Sequence, residues 1–112
     1  MRANNVNVLG TVYSIGYLTD VEDKYLRDRD GYCDKTSKKI VVRVADDRNE
    51  LENYDVYMNT ILRHEIIHAF LFESGLHENW MHPEHGHDET YLDWVAVQFP
   101  KLLEAFKHVG CL

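Results

Sequence analysis

The sequence predicts an α+β domain in which a small N-terminal sheet of about three strands is followed by a long helix and a second, shorter one. Three observations carry that expectation. β-Branched and aromatic residues alternate with polar ones near the start, a stretch free of Gly and Pro fills the middle, and an i, i+3, i+4, i+7 apolar face recurs near the end. At 112 residues the chain fits one domain, 1–112, with 45% hydrophobic and 28% charged residues, ordinary values for a globular protein.

Residues 6–18 read as one or two strands, bent near Gly10 or Gly16. Residues 19–30 are charged with little periodicity and predict a solvated loop or a short helix. Tyr32-Cys33-Asp34 and Lys39-Ile40-Val41-Val42-Arg43-Val44 predict two further strands, joined by a turn over Lys35-Thr36-Ser37-Lys38. The sheet is expected to be antiparallel or mixed.

Asp46-Asp47-Arg48-Asn49 is a cluster of capping residues, with acidic Glu50 and Glu52 behind it, so a helix is predicted from there to Ser74 with Gly75 as its C-terminal cap. Its second half, 66–72, is apolar nearly all round apart from His68, which predicts a central, buried helix. Residues 76–88 form a polar loop with His77, His82, His85 and His87. A second helix is expected over about 88–99, with Leu92, Val95, Ala96 and Phe99 as its apolar face. Pro100 is expected to kink it or to start a third helix over 101–108.

The net charge of −7 argues against duplex nucleic acid, and the nearest basic cluster, Lys35 to Lys39, is flanked by acids. No apolar run approaches the ~20 residues of a membrane span. The opening Met1-Arg2-Ala3-Asn4-Asn5 lacks the apolar segment of a secretory signal. Cys33 and Cys111 do not make a disulfide framework. They predict two reduced thiols in a cytoplasmic protein, with one bridge between them as the alternative.

The chemistry concentrates in His64-Glu65-Ile66-Ile67-His68. On a helix this spacing puts both imidazoles on one face, one turn apart, where two nitrogens can share a zinc ion. Glu65, rotated about 100° around the helix, can reach a metal-bound water without binding the metal. Zinc lowers that water's pKa to about 7, and a carboxylate alongside can take the proton. A charged triplet in an apolar helix is costly unless compensated, and a cation would compensate it. The bland alternative is two hydrogen-bonded histidines with Glu65 on a solvated face.

A third protein ligand is needed. Leu71 and Ser74 stand where the metzincin pattern would place Gly and His, which excludes that class. Glu89 and Asp93 form a second i, i+4 pair: Glu89 can bind the metal and Asp93 can hydrogen-bond the far nitrogen of a ligand histidine. Asp93 itself and one of the loop histidines are the rival third ligands, the loop being for the most part a solvated tract.

His64-Glu65-x-x-His68 followed by Glu89-x-x-x-Asp93 resembles the gluzincin arrangement, in which the Glu is the third ligand. The Asp93-x-x-Ala96-x-x-Phe99 spacing is similar to a segment of the ImmA/IrrE-type metallopeptidases, in which the acid binds zinc. Over almost its full length the chain resembles the small zincin-like metallopeptidases encoded by bacteriophages of Gram-positive hosts. That resemblance runs through Asn4-Asn5-Val6-x-Val8-Leu9-Gly10, Asp30-Gly31-Tyr32-Cys33-Asp34, the segment from Arg63 to Leu76, and Asp93-Trp94-Val95-Ala96-x-Gln98-Phe99-Pro100-Lys101. It implies a zinc-dependent peptidase of phage or prophage origin, acting in the bacterial cytoplasm on a peptide or protein, with strand 39–44 as the edge that pairs with substrate. The alternative from another class is a catalytically silent zincin scaffold that binds a host or phage protein, its zinc structural. A structural component of a virion is the third.

Other side chains have weaker claims. Tyr54, Tyr57 and Tyr91 are candidate donors to an oxyanion, with packing the commoner role. Trp80 and Trp94 are candidates for a pocket wall, although core packing suffices for Trp94. Arg63 can pair with an acid or stabilise charge, and Cys33 is expected to be a small buried hydrophobe.

Overall fold

A computed structural model describes residues 2–45, 52–79 and 87–112. In order they form β1 (Asn5–Val8), β2 (Thr11–Leu18), a 3-10 turn (Lys24–Leu26), β3 (Gly31–Asp34), β4 (Lys39–Arg43), α1 (Tyr54–Glu73), a second 3-10 turn (Leu76–Asn79) and α2 (Glu89–Val109). The class is α+β, as expected. The sheet has four strands in the order β1-β2-β4-β3 and is mixed: β1–β2 and β3–β4 are antiparallel, β2–β4 parallel.

The additional strand comes from residues 6–18, which divide at Leu9-Gly10. The pairing of Val8 with Thr11 leaves a two-residue loop whose φ angles are +52° and +94°, a primed hairpin turn that matches strand twist. Asn7 Oδ1 accepts from the Gly10 N–H at 2.8 Å. Gly10 adopts its angle without strain, whereas Leu9 does not. Gly16 produces no bend; it pairs with Val41 inside β2.

β4 is central, paired with β2 on one side and β3 on the other. The expectation that 39–44 is an edge is therefore corrected: the edge beside α1 is β3. The unbroken apolar run Ile40-Val41-Val42 is buried throughout, as an interior strand requires.

One face of the sheet packs on α1. Val8, Tyr13, Ile15, Ile40 and Val42 meet Met58 and Ala69, with Ile61, Leu62 and Ile66 around them. The approach at β3 is close enough to demand glycine. A Cβ on Gly31 would stand 2.9 Å from both Ile61 Cγ2 and the Val41 carbonyl oxygen, and 3.4 Å from Glu65 Cγ.

α1 starts later than the capping cluster predicts. Asn53 is its N-cap, with Oδ1 accepting from the Val56 N–H at 3.2 Å; the predicted start at 46–49 lies outside the described residues. The helix ends at Ser74, and Gly75 follows at φ +80°, the left-handed position glycine favours. The run 66–72 is not wholly buried. Ala69 is, but Ile66, Ile67, Leu71 and Phe72 are half-buried and Phe70 is exposed. Among the described residues the sheet, the second 3-10 turn and α2 pack on α1 and leave part of this apolar run open.

α2 runs unbroken from Glu89 to Val109, so the alternative of a separate third helix over 101–108 is corrected. Proline removes the N–H that would bond the Ala96 carbonyl one turn back. That oxygen instead accepts from Arg63 Nε of α1 at 2.6 Å, while Arg63 Nη2 donates to Thr60 Oγ1 at 3.1 Å. Asp88 caps the helix start through the Thr90 and Tyr91 N–H groups. Leu92 and Ala96 are buried against α1, whereas Trp94 is 54% exposed and not a core residue. Among the described residues no helix is long and apolar enough to cross a membrane.

Candidate metal centre

Helix geometry sets His64 and His68 one above the other on α1, with Nε2 atoms 3.1 Å apart. Glu89, in the first turn of α2, faces them both: Oε2 is 3.3 Å from His64 Nε2, and Oε1 is 3.2 Å from His68 Nε2. One ligand atom from each lies within 4.8 Å of the other two, so this group can hold a metal ion. Two tetrahedral ligands of zinc, each about 2.0–2.1 Å from the ion, stand about 3.3 Å apart. The observed separations fit one ion shared by all three. The donor chemistry fits as well, since two imidazoles and a carboxylate leave a coordination position open.

Asp93, one turn beyond Glu89, has Oδ1 2.7 Å from His64 Nδ1. It contacts the nitrogen that faces away from the cluster, whereas Glu89 contacts the nitrogens that converge. His68 Nδ1 lies 2.5 Å from His87 Nδ1, and His87 Nε2 lies 3.0 Å from His77 Nδ1. Of the four loop histidines, these two stand behind the cluster; His82 and His85 lie outside the described residues, as does Trp80.

Glu65 is 6% exposed and lines the same cleft of about 430 Å³ as His64, His68 and Glu89. Burial, and then the charge of Glu89, pushes its carboxyl up to about 8, with Arg29 acting in the opposite direction. Burial, then the neighbouring imidazoles of His64 and His87, pushes His68 down to about 4, which keeps it neutral as a metal ligand must be. Cys33 also lines the cleft; it and Cys111 are free thiols. Burial pushes the Cys33 thiol up to about 12, so it stays protonated rather than acting as a nucleophile or ligand.

Five cleft residues were not singled out from sequence: Asp28, Arg29, Gly31, Tyr32 and Phe72. Phe72 carried a readable signal, since it follows His68 by one helical turn. Arg29 and Tyr32 carried none, because they depend on β3 being the edge. The proposed oxyanion donors lie elsewhere. Tyr54 donates to the Arg43 carbonyl and Tyr57 to Asp30. Tyr91 lines an apolar groove with Ile67, Leu71 and Leu92. Arg63 serves the helix pair rather than the site.

No family model matches this sequence, and neither a curated protein nor a solved structure matches it.

Proposed function

We propose that this chain is a zinc-dependent metallopeptidase. The observation that carries the reading is the convergence of His64, His68 and Glu89 on one point, with the buried carboxyl of Glu65 in the same cleft. His64, His68 and Glu89 would hold the ion. Bound there, zinc would polarise a peptide carbonyl and acidify a water molecule. Glu65 takes the proton of the attacking water and hands it to the leaving amine, a role its place in the same cleft as the three ligands allows. Asp93 holds the His64 ring through Nδ1.

The cleft runs along β3, whose Tyr32 and Cys33 belong to its wall. An extended peptide laid beside this edge would gain backbone pairing and pass in front of Glu65. The Tyr32 hydroxyl donates to Asp23 at 2.5 Å, which steadies that wall.

The test is metal content and peptide cleavage in the wild type and in Glu65→Gln. The wild type is expected to bind about one zinc per chain. The variant should keep the zinc and lose cleavage by about 10²-fold or more. A wild-type chain that takes up no zinc, or a variant as active as the wild type, overturns the reading.

A further inference from the structure

His68 has two ring nitrogens with different neighbours. Nε2 faces His64 and Glu89, and Nδ1 faces His87 Nδ1 at 2.5 Å. A hydrogen bond between two imidazole nitrogens needs one proton between them. A neutral His68 that offers its Nε2 lone pair to a cation keeps its proton on Nδ1 and so donates. His87 Nδ1 must then accept, which leaves the His87 proton on Nε2. That atom is 3.0 Å from His77 Nδ1, which accepts in turn. One tautomer choice at His68 therefore dictates the tautomers of the two rings behind it.

Packing holds this order in place. The Phe72 ring contacts all three imidazoles, with centroid distances of 6.3 Å to His68, 4.6 Å to His87 and 4.9 Å to His77. His68 and His87 are stacked at 4.8 Å, and His77 meets His87 edge-on at 4.9 Å. The two ligand histidines are thus supported differently. His64 leans on the carboxylate of Asp93, whereas His68 leans on a ring that adds no charge to a centre already flanked by Glu65, Glu89 and Asp93.

We propose that His87, backed by His77, is the positioning residue of His68: a chain of neutral imidazoles that fixes the His68 ring so that Nε2 is presented to the metal. The proposal rests on the metal-centre reading above and names the device that supports its second ligand.

The experiment uses the full chain loaded with zinc. Zinc affinity is measured by competition with a chromophoric chelator in the wild type, His87→Leu, His87→Asn and His77→Leu. Nitrogen-15 long-range spectra of the wild type report which ring nitrogen carries each proton. His87→Leu is expected to weaken zinc binding about 10–100-fold. His87→Asn keeps an oxygen where Nδ1 stood and should recover most of that loss, while His77→Leu should cost less. The spectra should show His68 protonated at Nδ1, and both His87 and His77 protonated at Nε2. A wild type that binds no zinc overturns the metal reading and this proposal together. Unchanged affinity in His87→Leu, or a His87 proton on Nδ1, overturns the proposal alone. If His87→Leu fails to fold, the wild-type spectra decide.

Discussion

Asp34 closes the β3–β4 hairpin at the end of the cleft wall. Its Oδ1 accepts from the Thr36 N–H at 2.9 Å, the Thr36 hydroxyl at 2.6 Å and the Ser37 N–H at 3.3 Å. These bonds, the Thr36 and Ser37 side chains first, hold its carboxyl down at about 2, below the ordinary 3.8. A carboxyl with a depressed folded pKa contributes stability that is present above the unfolded value and lost as pH falls through the folded one. Asp34→Asn is therefore expected to flatten the decline in stability between about pH 4 and pH 2, read from denaturant midpoints across that range. Parallel declines in wild type and variant would refute the role. At this scale His64, Glu65 and His68 were legible because they share one helix, where spacing along the chain dictates spacing in space. Glu89 and Asp93 were legible as a pair for the same reason. Their allocation, Glu89 to the converging nitrogens and Asp93 to the far one, depends on how α2 sits against α1. His87 and His77 were read only as part of a mostly solvated loop, one of whose histidines could reach the metal, because nothing local ties a loop histidine to a ring on another element.

Helix α2 survives a proline because a neighbour supplies what the proline removes. Ala96 is 1% exposed, so its carbonyl has little access to water, and Arg63 is its partner. Arg63→Met should leave that oxygen unpaired and lower stability by about 1–3 kcal/mol. In a Pro100→Ala background the restored N–H can bond Ala96, and the same substitution should cost less, a coupling of about 1 kcal/mol in a double-mutant cycle by thermal or denaturant unfolding. Additive losses would show that the two residues act separately. Here lies the reason the continuity of α2 was not legible: Pro100 alone reads as a kink or a new start, and its remedy is Arg63, 33 positions before Ala96. The strands were legible as local patterns, but their order was not. The parallel pairing of β2 with β4, which makes β4 interior and β3 the edge, is a long-range choice. The one local sign of it was the unbroken run Ile40-Val41-Val42.

Over the whole molecule, the three side chains that can hold a metal belong to two helices, so binding there would be linked to folding. Zinc at about 100 times its Kd would add about 2.7 kcal/mol to stability. The wild-type Tm should rise with zinc and fall on chelation, and Glu89→Ala should lose most of that response; an equal zinc shift in the variant would remove Glu89 from the site. The α+β class was legible at this scale because composition and element order suffice for it, whereas the cleft along β3 required the assembled sheet. The two helices are also fastened unequally. Glu73 at the end of α1 accepts from the Tyr13 hydroxyl at 2.7 Å and the Thr11 hydroxyl at 3.3 Å, and pairs with Lys38 at 2.7 Å, which rivets α1 to the sheet. α2 rests chiefly on α1, through Leu92, Ala96 and the Arg63 bond. A cation between His64, His68 and Glu89 would then be a clasp on the looser helix. Were it undone, the start of α2 would be freer to swing away and bare Ile67 and Leu71, and the metal-free chain would be the form with the sticky surface.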